Sequence, residues 1–334
     1  MSELRIGSLC TGYAGLDAAA HAVFGGTTAW VSDIDSGASK ILAHRMPDTP
    51  NLGDLTTTDW QAVLNEHGPV DIVTGGYPCQ PFSVAGRRKG TADDRHIWPD
   101  IARALRVLRP QLAIFENVAN HLRLGFDTVL RDLAAIGFDA EWCVVRADEV
   151  GAPHQRRRLF LLAVAADAAD LGHERRRDAR RRGHGPADNG GAASDAARLG
   201  RGQGRPEPTR LERGSGVALG GGAAAPDTDE SGRGTDQPDV RPGQPDTDWG
   251  RFAPAVARWE AVTGRRAPWA TDDRRRLNPA FVEWLMGLPA GWVTDVPELT
   301  RTQQLKALGN GVVPQQAEAA IRLLHHRATA ADAA

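Results

Sequence analysis

The sequence predicts an α/β fold in which a mostly parallel sheet carries helices on both faces. Six short apolar runs have the length of buried strands; they cover residues 4–9, 28–32, 70–75, 111–116, 141–146 and 159–165. Amphipathic stretches of helical length lie between several of them, for example at residues 15–23, 97–108 and 128–136. This alternation is typical of strands that pair in parallel through crossover helices.

Composition favours a globular, intracellular protein. The 334 residues are 41% hydrophobic and 25% charged, and the net charge of -2 gives no overall attraction to a polyanion. The three cysteines are widely spaced, which argues against a disulfide framework and against a metal site. Residues 1–5 lack a signal-peptide pattern, and no apolar run approaches the ~20 residues that span a bilayer. We therefore expect a cytoplasmic protein with no metal and no membrane segment.

The character of the chain changes near residue 167. Between about 167 and 248 it is rich in Gly, Ala, Asp, Pro and Arg, and it has no clear apolar period. Such a composition buries too little apolar surface to offset the entropy of ordering, so we interpret much of it as a flexible insertion. Helical patterns resume after Trp249, at residues 252–262, 281–286 and 314–326.

Reactive side chains follow or precede three of the predicted strands. Cys79 comes shortly after the third strand; a thiolate there can act as a nucleophile, although a lone cysteine is more often a small buried hydrophobe. Glu116 ends the fourth strand. Arg156 and Arg158 lie at the start of the sixth, and in an extended segment they share one face. A thiol, a carboxylate and two guanidinium groups at neighbouring strand ends indicate a nucleophilic site.

Several segments resemble, in order, the motifs of the DNA cytosine-5 methyltransferase family. They are residues 8–17, Pro78-Cys79-Gln80, Glu116-Asn117-Val118, Gln155-Arg156-Arg157-Arg158, residues 277–289 and residues 305–314. The resemblance covers about residues 1–165 and 274–325. It implies a Rossmann-like, S-adenosylmethionine-dependent methyltransferase sheet with a smaller, partly irregular target-recognition domain.

The same resemblance implies a division into domains. In this family the target-recognition region lies between the arginine motif and the segment that begins at Asn278. We therefore expect residues 1–165 and 303–330 to form the catalytic, cofactor-binding domain. Residues 166–302 are then the target-recognition region, and they include the low-complexity stretch.

The resemblance also implies a role for each residue of the nucleophilic site. Cys79 would add to C6 of a cytosine and so make C5 reactive enough to take a methyl group. Glu116 would supply a proton or a hydrogen bond at N3, and burial would raise its pKa. Arg156 and Arg158 would bind the base and orient the carboxylate or the DNA backbone. Asn117 is expected to hold the loop.

The methyl donor that the resemblance implies is S-adenosylmethionine. Asp33 would accept hydrogen bonds from its ribose hydroxyls, Ile34 would pack on its adenine, and Asp54 would accept from the adenine amino group. The expected cofactor residues are Cys10, Thr11, Gly12, Ala14, Gly15, Leu16, Asp33, Ile34, Asp54, Leu55, Pro78, Asn310 and Gly311. Cys10 stands where the family usually has an aromatic residue, so Tyr13 is a candidate to supply the aromatic contact.

DNA is the substrate that the resemblance implies, and a cytosine in a duplex must be flipped out before a thiolate reaches it. The basic loop after Cys79 provides the expected DNA contacts, which are Ser83, Arg87, Arg88 and Lys89. The expected partners are double-stranded DNA and a cognate restriction endonuclease that acts separately, and the expected state is a monomer. Two alternatives stay open: an RNA cytosine-5 methyltransferase on the same scaffold, and a DNA-binding regulator without catalysis.

Overall fold

A central sheet organises the computed structural model, which describes residues 3–78, 97–166 and 248–331. Its strands are β1 (Arg5–Leu9), β2 (Thr27–Ser32), β3 (Ile72–Gly76), β4 (Leu112–Val118), β5 (Phe138–Val145) and β6 (Arg158–Ala165). The first and last residues of each strand lie within three positions of the first and last residues of a predicted strand. The agreement follows from burial, because most residues of β1, β3, β4 and β6 are buried.

The strand order is β2-β1-β3-β4-β6-β5. β1 pairs in parallel with β2 and β3, and β3 pairs in parallel with β4. β6 runs antiparallel to both β4 and β5. Because β1 has β2 on one side and β3 on the other, the winding direction reverses there, and a crevice opens at the carboxyl ends of these strands. The predicted α/β class is confirmed, with β6 as the antiparallel strand.

Helices cover both faces of the sheet. Among the described residues they are α1 (Gly15–Phe24), α2 (Ser36–Arg45), α3 (Trp60–His67), α4 (Trp98–Leu108), α5 (Phe126–Ala135), α6 (Ala253–Thr263), α7 (Pro279–Leu285), α8 (Arg301–Asn310) and α9 (Pro314–Ala331). Buried residues of α3, α4 and α5 share one apolar cluster with the sheet, and those of α1 and α9 share a second. Within the described ranges, no helix has the length and apolar character needed to cross a membrane.

Three helices, α2, α3 and α8, had no counterpart among the predicted elements. Each begins with a side chain that accepts hydrogen bonds from free N–H groups of its first turn: Asp35 in α2, Asp59 in α3 and Thr300 in α8. Gln303 completes a reciprocal capping box with Thr300. These capping residues, each followed by a helical segment of 8 to 10 residues, were the signal in the sequence that could have located the three helices. The predicted insertion at 167–248 lies, up to residue 247, outside the described residues.

A small helical region follows at residues 248–299, around the fully buried indole rings of Trp259 and Trp284. The carboxylate of Glu283, 1% exposed, accepts three backbone N–H groups from the turn after α7 and so fixes that turn. Tyr13, from the loop between β1 and α1, belongs to the same apolar cluster. The division into a catalytic domain and a target-recognition region stays a prediction.

Candidate active site

A cavity of about 560 Å³ lies at the carboxyl ends of β1, β2, β3 and β4, within the usual size range of small-molecule sites. Most of the predicted site residues line it: Cys10, Thr11, Gly12, Gly15, Leu16, Asp33, Ile34, Asp54, Leu55, Pro78, Glu116, Arg158, Asn310 and Gly311. Ala14 and Arg156 are described but are not part of the lining. The other predicted site residues lie outside the described residues, namely Cys79, Ser83, Arg87, Arg88 and Lys89.

The loop between β1 and α1 bends sharply around one end of the cavity. Cys10, Gly12 and Ala14 have φ angles of 49°, 61° and 65°, in the left-handed region. The Gly12 N–H donates to Asp33 Oδ2 at 2.8 Å and ties the loop to the end of β2. Ala14 is buried and is the N-cap residue that precedes α1. It is not part of the cavity lining, so its predicted contact with the cofactor stays a prediction.

Tyr13 does not supply the aromatic contact that the sequence suggested. Its side chain is 1% exposed and lies outside the cavity lining, and its hydroxyl donates to the Val312 carbonyl oxygen at 2.8 Å. The Trp292 indole N–H donates to the Tyr13 carbonyl oxygen at 2.9 Å. Tyr13 therefore joins the first loop to late segments of the chain. Cys10 lines the cavity instead, and burial, reinforced by two nearby carboxylates, raises the pKa of its thiol to about 12.

Gly311 has no room for a side chain, because a methyl group there would overlap the Tyr13 ring. We expect Gly311→Ala to lower the free energy of unfolding by about 1–3 kcal/mol through overpacking, measured by urea denaturation. Gly309→Ala is the matched control. A methyl group at Gly309 meets no atom within 4 Å, and alanine favours a helix over glycine, so stability should not fall. Equal losses in the two variants would contradict the close contact.

Two carboxylates and an apolar side chain define the rim of the cavity near β2. Each Asp33 carboxylate oxygen accepts one backbone N–H at 2.8 Å, and burial raises the pKa of Asp33 while these hydrogen bonds oppose the rise. Asp54 Oδ1 accepts from the N–H and the hydroxyl of Thr56. Carboxylate oxygens have two acceptor positions each, so both residues can still accept from a ligand. Ile34, 72% exposed, adds an apolar surface.

Glu116 lies at the end of β4 and is 6% exposed. Its Oε1 pairs with Arg158 Nε at 2.8 Å. Burial raises the pKa of Glu116 to about 7, and the positive charges of Arg158 and Arg156 oppose that rise. A carboxyl group with this pKa exchanges a proton readily near neutral pH, which suits a general acid.

Arg156 and Arg158 do not share one face of an extended segment, contrary to the prediction. β6 begins at Arg158, and Arg156 has a φ of 29°. Arg156 Nη2 donates to the carbonyl oxygens of Gly309 and Gly311 at 2.9 and 2.5 Å. Arg156 therefore binds the C-terminal end of α8 and the residue that follows it. Of the two arginines, Arg158 is the one that contacts Glu116.

Gly76, at the end of β3, borders the gap between Glu116 and the first loop. A methyl group at Gly76 would lie 3.7 Å from Glu116 Oε2, 3.8 Å from the Cys10 carbonyl oxygen and 3.9 Å from Val312 Cγ2. The missing side chain therefore keeps this gap open. In the sheet Gly76 is also the register partner of Glu116, so the segment that leads to Cys79 starts beside the carboxyl group.

Tyr77, two residues before Cys79, is held at both its backbone and its hydroxyl. Asn117 Nδ2 donates to the Tyr77 carbonyl oxygen at 3.1 Å, as expected of a residue that holds this loop. The Tyr77 hydroxyl and His121 Nε2 share a hydrogen bond of 2.8 Å, and both side chains are buried. Sequence reasoning missed His121, because it lies in a short 3-10 helix (Ala119–Arg123) and in no recognisable motif.

Two charged cavity residues were also missed. Lys306 of α8 pairs with Asp35 at 2.5 Å on the rim. Asp17, in the first turn of α1, accepts hydrogen bonds from the hydroxyls of Ser8 and Thr74. An acid in the first turn of a helix is an ordinary feature of sequences. Its burial against β1 and β3 became visible only when the three elements were placed together.

Comparison with known proteins adds independent information. A family model described as C-5 cytosine-specific DNA methylase matches residues 4–182. Type II methyltransferase M.HgiCII of Herpetosiphon aurantiacus is 31% identical over 172 residues, which are 49% of this chain and 38% of that protein. Type II methyltransferase M.NgoBV of Neisseria gonorrhoeae is 31% identical over 157 residues, 43% of this chain and 36% of the relative. The matches thus span less than two fifths of these relatives.

Solved structures resemble the chain over about half its length. A crystal structure of Spodoptera frugiperda DNMT2, determined for a triple mutant, is 22% identical, with a TM-score of 0.43. The match covers 49% of this chain and 50% of that one.

Proposed function

Since the chain belongs to the C-5 cytosine-specific DNA methylase family, we propose that it transfers a methyl group from S-adenosylmethionine to C5 of a cytosine in duplex DNA. One observation carries the proposal: a buried, arginine-paired carboxyl group and a rim suited to a nucleoside line the same cavity. Glu116 lies on β4 and Asp33 follows β2, so β1 and β3 stand between the two residues, and Asp54 lines the same cavity. A donor and a target base held there would meet beside Gly76.

The rim residues fit S-adenosylmethionine by their chemistry. Asp33 retains acceptor positions for two ribose hydroxyls, and Asp54 retains them for the adenine amino group. Ile34 offers an exposed apolar surface to the adenine plane. A methyl group added at Gly12 or at Gly309 would meet no atom within 4 Å, so the backbone there leaves room for the methionine part. When bound, the cofactor supplies a methyl group activated by a sulfonium charge.

The catalytic roles that we propose are those that the family resemblance implies, and the place of Glu116 in the cavity wall supports them. Cys79 would add to C6 of the cytosine as a thiolate, forming one carbon–sulfur bond and pushing electrons toward N3. Glu116 would give its proton to N3 in the same step, and its pKa of about 7 allows this near neutral pH. Arg158 would keep the carboxyl group oriented. After C5 gains the methyl group, water would take the C5 proton, and the electrons of that bond would form the C5–C6 double bond while the carbon–sulfur bond breaks. Cys79 would leave as a thiolate, N3 would return its proton to Glu116, and the aromatic ring would be restored.

The substrate must reach this cavity from a duplex, so we propose that the cytosine is flipped out of the helix. Ser83, Arg87, Arg88 and Lys89 would contact the DNA backbone, and residues 166–302 would recognise the target sequence. The names of the type II relatives favour a role beside a separate restriction endonuclease. We propose a monomer that acts in the cytoplasm, where its DNA substrate lies.

Covalent trapping tests the proposal. A mixed-sequence duplex in which 5-fluorocytosine replaces cytosine cannot lose the C5 substituent, so the enzyme should remain attached after methyl transfer. We expect an adduct that survives denaturing electrophoresis and requires S-adenosylmethionine, and peptide mapping should place it on Cys79. The same duplex with ordinary cytosine is the control. Failure to form an adduct, or an adduct on another residue, would overturn the mechanism.

The two alternatives predict different substrates. Transfer of labelled methyl groups to mixed-sequence duplex DNA and to transfer RNA should be measured side by side. We expect label on DNA. Label on RNA alone would establish the RNA enzyme, and DNA binding without label on either would establish a non-catalytic regulator.

A further inference from the structure

Asp17 places a buried carboxylate in the cavity wall. The side chain is 2% exposed, and the Ser8 hydroxyl donates to Oδ2 at 3.0 Å while the Thr74 hydroxyl donates to Oδ1 at 2.6 Å. All three residues line the cavity. Asp17 lies on α1, Ser8 on β1 and Thr74 on β3, so the carboxylate lies where the first helix packs against these two strands.

This carboxylate lacks a cationic partner of its own. Among the ion pairs of the described ranges, none involves Asp17, whereas Glu116 has Arg158 and Asp35 has Lys306. Both of its oxygens lie within hydrogen-bond distance of a hydroxyl, and hydroxyls that donate to them stabilise the ionised form of the carboxyl group. Burial raises the pKa of Asp17, and the two hydroxyl hydrogen bonds, with the charge of His21, oppose the rise. A buried negative charge interacts strongly with charges in the adjacent cavity, because little water screens it.

The donor and the product of the proposed reaction differ in charge. S-adenosylmethionine carries a positive sulfonium, and S-adenosylhomocysteine carries a neutral thioether in its place. We propose that Asp17 acts as an electrostatic selector, attracting the sulfonium donor and losing this attraction once the methyl group has left. The inference rests on the proposed function. Asp17 would thus determine which ligand binds and would favour release of the product. The rim residues would bind the adenosine that both ligands share.

The charge and the packing of Asp17 can be tested separately. Asp17→Asn keeps the shape, and its amide can still accept from one hydroxyl and donate to the other. Calorimetric titration of the enzyme with each ligand gives two dissociation constants. We expect the affinity for S-adenosylmethionine to fall about tenfold and that for S-adenosylhomocysteine to change by less than about twofold, a tenfold shift being equivalent to about 1.4 kcal/mol.

Thr74→Val is the matched control, because it removes one hydroxyl and leaves the carboxylate. It should lower the melting temperature and, because only one of the two hydroxyls that stabilise the charge of Asp17 is lost, shift the ratio of the two dissociation constants by less than the neutral variants do. Asp17→Ser provides a second neutral variant if Asp17→Asn does not fold. A ratio that is unchanged in the neutral variants, or that shifts equally in Thr74→Val, would overturn the inference. If the wild type binds neither ligand, the proposed function itself fails, so the two failures are distinct.

Discussion

Replacement of Glu116 by glutamine is expected to lower kcat on duplex DNA by about 100- to 10,000-fold at pH 7, the usual contribution of a positioned general acid. Glutamine can still hydrogen-bond to N3 of the cytosine, but it cannot deliver the proton that neutralises the developing charge. Steady-state methyl transfer measures the effect. Glu66→Gln, at a carboxylate that is 76% exposed, is the control for the substitution itself and should leave kcat unchanged.

The pH profile gives a second test of the same residue. In the proposed mechanism Glu116 acts in its protonated form, and burial raises its pKa to about 7, so we expect kcat to fall as the pH rises above about 7. The residual kcat of Glu116→Gln should lack this descending limb, because glutamine does not titrate. A wild-type kcat that continues to rise through pH 9, or a variant with the same descending limb, would contradict the assignment.

Glu116 also links stability to pH. In the folded protein it keeps its proton up to about pH 7, whereas an unfolded glutamate loses it near its ordinary value of 4.5. The folded state therefore binds more protons between these values, and the contribution of Glu116 to the free energy of unfolding falls as the pH rises through that window. The structure thus keeps at its active site a group that destabilises the fold when it is ionised.

Gly76→Ala is expected to leave the fold intact and to lower kcat by about 100-fold, the effect of a misplacement of about 1 Å between reacting groups. The added methyl group would have ordinary contacts of 3.7 to 3.9 Å with its neighbours, so the fold tolerates it. It would, however, occupy the gap between Glu116 and the Cys10 carbonyl oxygen, where we propose that donor and base meet. We therefore expect the substitution to lower kcat without lowering the free energy of unfolding.

Stability and donor binding are the controls for this variant. We expect its free energy of unfolding to match the wild type or exceed it slightly, because alanine lowers the entropy of the unfolded chain. Affinity for S-adenosylmethionine should change by less than about threefold, since β1 separates the strand that ends at Gly76 from the strand that Asp33 follows, and neither Asp33 nor Asp54 is among the atoms nearest to the added methyl group. A variant that keeps full kcat would show that methyl transfer does not pass this gap.

The strands were predictable because burial imposes a simple signal on them. β1, β3 and β6 are short, and nearly all of their residues are buried, as is usual for strands covered on both faces. The residues that end or follow the parallel strands β1 and β3, Cys10 and Gly76 among others, therefore fell at one edge of the sheet, and the antiparallel β6 brings its first residue, Arg158, to the same edge. For the same reason the strand pattern alone was enough to place Asp33 and Glu116 at that edge.

Contacts between distant segments could not be predicted in this way. Arg156 was expected beside Arg158, but its left-handed backbone turns the guanidinium toward the residues after α8. Tyr13 was expected to face the cofactor, but its hydroxyl finds an acceptor at Val312, 299 positions away. Spacing along the chain holds no information on such pairs. The contacts of Asp17 with Thr74 and of His121 with Tyr77 also join distant segments, so they could not be predicted either.

The bond between Tyr13 and Val312 has a consequence for the enzyme during its own synthesis. A ribosome makes the chain from its amino end, and the early sheet strands can begin to assemble while later residues are still being added. The cavity wall that includes Lys306, Asn310 and Gly311 does not yet exist at that stage. Under the proposed function, a nascent chain would therefore carry the proposed nucleophile and general acid before its donor site is complete, and we expect methylation to begin only after translation has passed α8.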